Sequence, residues 1–127
     1  MKGIISIVLA SLLLTSPGVQ DNINTAIKTA NTSALAQYFN KSIDLSVLDQ
    51  ENVYSKAQAE IIVKDFFAKH KPTSFKIGHE GNAPDGSMYM IIKLGTTNGS
   101  FRIYYLLKEI DNQLLIHKFR IDTDNDE

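Results

Sequence analysis

A histidine beside a tyrosine can take up a proton or donate a hydrogen bond to a substrate carbonyl. Three such residues, His79, Tyr105 and His117, fall on the inward parity of extended segments, so all are expected to face a common interior. Tyr38, Asp44 and Tyr54 are placed near the mouth of the same cavity. These six are the candidate ligand-binding residues, and no nucleophile–base pair among them identifies a catalytic group. The competing reading makes each imidazole a hydrogen-bonded core or rim group. His79 and His117 could share an ion with Asp44, but their separation matches no ligand spacing. No metal or other cofactor is therefore expected. Asp122-Thr123-Asp124-Asn125-Asp126 imitates the start of a calcium loop. It lacks the glycine that such a loop needs at its sharp turn, and no bidentate Glu follows at the right place. Residues 123–127 are read as an acidic tail. Gly-rich phosphate loops, G-x-S-x-G and H-E-x-x-H are all missing.

Composition narrows the field further. The 127 residues suit one domain, with 43% apolar and 21% charged residues in the ordinary globular range. Thirteen Lys and Arg against fourteen Asp and Glu give a net charge of −1, which offers nucleic acid no general attraction. With no cysteine, the chain has no disulfide, thiolate zinc site or cysteine nucleophile. Lys2 followed by apolar Ile4–Leu14 and then Thr15-Ser16-Pro17-Gly18 has the pattern of an export signal, residues 1–20. The apolar run is too short to cross a bilayer, since a spanning helix needs about 20 residues. Cleavage between Gly18 and Gln20 would release a secreted or periplasmic protein with no membrane insertion.

The elements that must position the candidates follow from periodicity. Asp21 to Phe39 has helical spacing, weakened at Asn31-Thr32-Ser33, where it could split with Ser33 as a cap. Ser42 to Leu48 alternates as a short strand. Ser55 to His70 is a second helix, with Ser55 and Gln58 forming a capping box and Pro72 stopping it. Four antiparallel strands follow.

Asn98-Gly99 is the strongest hairpin signal. A loop of those two residues would set Leu94 opposite Ile103, Ile92 opposite Tyr105 and Met90 opposite Leu107. After Asp111, a three-residue loop is expected, because it sends Leu115, His117, Phe119 and Ile121 inward and keeps Lys118 and Arg120 out of the core. The outward face then carries Tyr89, Ile91, Lys93, Arg102, Tyr104, Leu106, Lys108, Leu114, Ile116, Lys118 and Arg120. Lys93 would lie opposite Tyr104, and Tyr104 opposite Arg120, interleaving hydrophobes with cations and no anion. A solvated sheet face is normally polar. Tyr89, Ile91, Tyr104, Leu106 and Ile116 are accordingly the interface candidates, with a homodimer as the expected partner.

The pattern predicts an α+β domain over residues 21–122, with N-terminal helices on the concave face of a curved, mainly antiparallel sheet. Thr32-Ser33-Ala34-Leu35-Ala36-Gln37-Tyr38-Phe39 and the strand at Ile43-Asp44-Leu45 resemble the opening of the cone-shaped superfamily of nuclear transport factor two, ketosteroid isomerases and scytalone dehydratases. Tyr54-Ser55-Lys56-Ala57-Gln58-Ala59-Glu60, Lys64-Asp65-Phe66-Phe67 and Asn98-Gly99-Ser100-Phe101-Arg102-Ile103-Tyr104 resemble, more narrowly, a family of secreted bacterial proteins known as domain of unknown function 4783. The resemblance spans residues 20–122 and implies fold and address, with no activity attached. Ketosteroid isomerases need a carboxylate base and an acidic oxyanion donor within the cavity. The inward parity of the four long strands supplies neither. The reading is a secreted, non-enzymatic binding or interaction module of unknown ligand; the alternative is a small-molecule isomerase or dehydratase using the cavity.

Overall fold

The computed structural model describes residues 18–125. The export signal lies almost wholly outside them, as does the end of the tail. The order is α1 (Val19–Lys28), α2 (Thr32–Ala36), β1 (Phe39–Val47), β2 (Gln50–Ser55), α3 (Lys56–Lys69), β3 (Pro72–Asn82), β4 (Met88–Thr96), β5 (Gly99–Ile110) and β6 (Gln113–Thr123). One six-stranded sheet runs β2-β1-β6-β5-β4-β3, with β1 parallel to β6 and the other pairs antiparallel. The helices lie on its inner face. The expected fold class is therefore present, in a mixed sheet. Among the described residues, no helix is long and apolar enough to cross a membrane.

The N-terminal helix splits as anticipated, but Asn31 rather than Ser33 caps the second piece. Its side chain accepts from the Ala34 amide, while Ala30 turns the chain with φ 56°. An amide side chain suits an N-cap as well as a hydroxyl does. Ser55 and Gln58 form the expected capping box, each side chain meeting the other's backbone N–H. Such caps stabilise a helix start by about 1 kcal/mol. The cap fixes the rotation of α3 so that Ala59, Val63, Phe66 and Phe67 face the sheet. Phe66 meets Phe101 edge-on with ring centroids 5.0 Å apart, and His70 stacks on Phe66 at 4.5 Å.

Three departures from the expected strands matter for function. First, β2 was not anticipated; it forms a hairpin with β1 through Leu48 and Asp49. Second, Thr96 pairs with Gly99, so the β4–β5 turn is Thr97-Asn98. The Thr96 hydroxyl accepts from the Asn98 amide and donates to the Gly99 carbonyl, and Gly99 takes φ 110°. The glycine thus serves just after the turn. This register sets Ile92 opposite Ile103, Met90 opposite Tyr105 and Met88 opposite Leu107. A slip of two residues preserves which face each side chain takes.

Third, the β5–β6 turn is the two-residue Asp111-Asn112, both at positive φ. On its own, that loop would send Lys118 and Arg120 into the core. A β-bulge prevents it: Leu107 pairs with Ile116 and Leu106 with Lys118, leaving His117 as the extra residue. Ile116, Phe119 and Ile121 all face inward, each with 0% exposure. Avoiding buried cations was the right principle, satisfied by a bulge instead of a longer loop. β6 also runs on to Thr123, and the Asp124 amide bonds to the Ser100 carbonyl, so the strand takes the start of the expected tail.

Candidate functional site

The inner face is packed. Ile23, Ile27, Leu35, Ile43, Leu45, Ile103 and Phe119 are fully buried and fill the cone between sheet and helices. Tyr105 sits in the same layer with 0% exposure, and its hydroxyl donates to Asn24 Oδ1 on α1 at 2.8 Å. Burial raises the Tyr105 pKa above the ordinary phenol range, and the charges of Glu80 and Asp21 push it the same way. A phenol so held is a structural tie between α1 and β5. It keeps its proton at any physiological pH.

The six candidate ligand-binding residues do not converge. Tyr38 borders a surface groove between α1 and α2, where its hydroxyl accepts from Asn22 Nδ2 at 3.0 Å. Tyr54 lies in β2 opposite Ile43 and packs half-buried against the core. Asp44 is on the outer face, not at a cavity mouth, because it alternates with buried Ile43 and Leu45. Its carboxylate is 3.7 Å from Lys118 Nζ. His79 is also on the outer face. Ile77 pairs with Ile92, but His79 pairs with Ile91, so Gly78 is an extra residue that reverses parity. The His79 ring meets Tyr89 with centroids 5.5 Å apart.

His117 occupies the β6 bulge, half-buried, with Nε2 enclosed and without a hydrogen-bond partner among the described residues. Desolvation lowers its pKa, helped by the charge of Lys108. The Gly78 bulge also brings Glu80 to the inner side, opposite Met90. Sequence parity had left the long strands without an inward carboxylate. A glycine within a strand is the signal that could have revealed it. No group of three or more His, Asp or Glu able to hold a metal is present among the described residues.

The outer face is organised differently from the interleaved pattern expected. The observed register places Tyr89 opposite Leu106 and Ile91 opposite Tyr104. These four form one apolar block, and the Tyr89 and Tyr104 rings stack at 6.3 Å. Ile116, expected beside them, belongs to the core. Three of the cations flanking the block have carboxylate partners: Lys118 with Asp44, Arg120 with Glu51 and Asp122, and Lys93 with Asp124, at 3.6–3.9 Å. The expected anion-free face was incorrect, because β1, β2 and the end of β6 contribute carboxylates to it.

Comparison with known proteins fits this architecture. Residues 20–122 match the family model described as Domain of unknown function (DUF4783). The chain belongs to the DUF4783 family. A DUF4783 protein from Bacteroides uniformis has 31% identity, with 86% of this chain and 100% of that chain covered and a TM-score of 0.80. The wider fold is shared with proteins of low identity. A cystatin-like domain of unknown function from Nostoc punctiforme aligns with TM-score 0.65 at 10% identity, covering 84% of this chain and 74% of that chain. A protein named as a substituted NTF2 variant aligns at 0.60 and 10%, covering 79% and 90%. No curated protein matches the chain. DUF4783 membership thus fixes fold and family, and the nuclear transport factor two-like resemblance holds.

Proposed function

We propose that this DUF4783 chain is an exported, non-enzymatic interaction module that pairs with a second copy of itself through the outer sheet face. The observation that carries the reading is the apolar block of Tyr89, Ile91, Tyr104 and Leu106, bordered by ion-paired cations. An apolar patch rimmed by polar groups is the usual form of a protein-binding surface. Two such faces can meet with reduced repulsion, because each copy brings its own carboxylates to Lys93, Lys118 and Arg120. The filled cone and the tied hydroxyl of Tyr105 argue against the isomerase or dehydratase alternative.

Sedimentation of the mature protein tests this. A dimer that persists in molar salt and becomes monomeric in Leu106→Glu is expected, because a hydrophobic contact does not depend on attraction between charges. A monomer at every salt concentration, with the variant unchanged, would overturn the reading. Export has its own support in Lys2 and Ile4–Leu14. Val19 begins α1 and packs on the core, which favours a cut on its N-terminal side. Intact mass of the periplasmic fraction should show a loss of about 18 residues; retention of Met1 would refute it.

A further inference from the structure

A cleft of about 500 Å³ lies on the helical side of the molecule, where the C-terminal end of α1 meets α3 and the start of β3. Lys28, Lys64 and Lys71 all line it, and no acidic residue does. None of the three forms an ion pair among the described residues, whose ion-paired cations are Lys69, Lys93, Lys118 and Arg120. The lining also includes buried Phe67 and the hydroxyl-bearing Thr29 and Thr32. Lys28 additionally borders an adjoining cleft of about 300 Å³, and its Nζ is 5.0 Å from the centroid of the Phe75 ring there.

A chain of net charge −1 has thus gathered three uncompensated cations around one concavity. Like charges placed together repel, so the arrangement favours a ligand that neutralises them. A monoanion would leave two of the three charges unbalanced, whereas a dianion leaves one. Lysines bind phosphate as point charges, and a phosphate monoester offers three strong acceptor oxygens at a single centre. The Phe67 ring and the volume leave room for an organic body of metabolite size. We infer that this cleft binds an organic phosphate monoester, its dianion held among Lys28, Lys64 and Lys71 and its apolar part against Phe67. The site is separate from the outer sheet face, so it stands or falls independently of dimerisation.

Phenyl phosphate is the probe, titrated by calorimetry into the mature chain at low salt. Saturable binding is expected, weakened about tenfold in Lys64→Met and in Lys71→Met, as befits loss of one charge-assisted contact. Both lysines are exposed, so the melting temperatures of these variants should match wild type. Lys56→Met, at the opposite end of α3, should bind as wild type does. Inorganic phosphate should bind about tenfold more weakly than phenyl phosphate, having no apolar part. The proposal is overturned if phenyl phosphate does not bind at millimolar concentration. It is equally overturned if Lys56→Met weakens binding as much as Lys64→Met does, or if phenol binds as tightly as its phosphate.

Discussion

The two faces of one sheet divide the work of this molecule. On the inner face Tyr105 and Phe119 are fully buried, and the Tyr105 hydroxyl is tied to Asn24. On the outer face Tyr89 and Tyr104 are only half-buried, with no helix among the described residues over them, and Lys93, Lys118 and Arg120 around them are paired with carboxylates. Residues of the same type therefore have opposite consequences. An aromatic ring inside the cone holds helices to strands, and one outside it is available to another molecule. A fold-level argument from the cone alone would have looked for function on the inside. The packing directs attention to the sheet's outer face and to the cleft on the helical side.

Substitutions can break or sharpen that contrast. The largest effect is expected on the inner face, where Phe119→Ala removes a ring with 0% exposure that packs 5.9 Å from Phe39. It should cost about 3–5 kcal/mol in chemical denaturation, while the sheet-face contacts of any folded protein persist. Leu106→Glu should do the reverse, abolishing the dimer with less than about 1 kcal/mol change in the isolated protomer, as surface substitutions usually do. A comparable loss of protomer stability in both variants would erase the distinction between the faces.

The smallest effect should come from the bulge between them. The folded His117 pKa is lowered below its ordinary value of 6.5 by desolvation first and by Lys108 second. The unfolded chain therefore binds a proton more readily than the folded one just below pH 6.5. Stability should be fully present above that pH and decline as pH falls through it. His117→Gln should flatten this part of the stability–pH curve. A slope identical to wild type would show that His117 protonation is not linked to unfolding.

Much of the fold was legible in short-range pattern. The capping box at Ser55 and Gln58, the apolar stripe of α3 and the face taken by each β4 and β5 residue all follow from local periodicity. These features depend on neighbours within a few positions, which is why one sequence suffices to read them. The candidate site was legible only where parity stayed unbroken. Tyr105 faces inward as read, but a single extra residue at Gly78 or His117 reverses every side chain beyond it. The Gly78 bulge moved His79 outward and Glu80 inward, while the tight Asp111-Asn112 turn put Ile116 into the core and the His117 bulge kept Phe119 and Ile121 there.

What the sequence by itself determined was the alternation of apolar and polar residues, the helix starts and the family. Tertiary structure decided where the alternation is interrupted, because a bulge is chosen by the energy of the whole sheet. On β6 it reconciles a tight Asp111-Asn112 turn with keeping Lys118 and Arg120 out of the apolar interior. Tertiary structure also decided which charges meet. Asp44 and Lys118 come from strands that pair in parallel despite their distance in sequence, and Lys28, Lys64 and Lys71 meet only because α1 and α3 close around one cleft. Coulomb interaction depends on separation in space, and the linear order of residues does not encode that separation until the chain has folded.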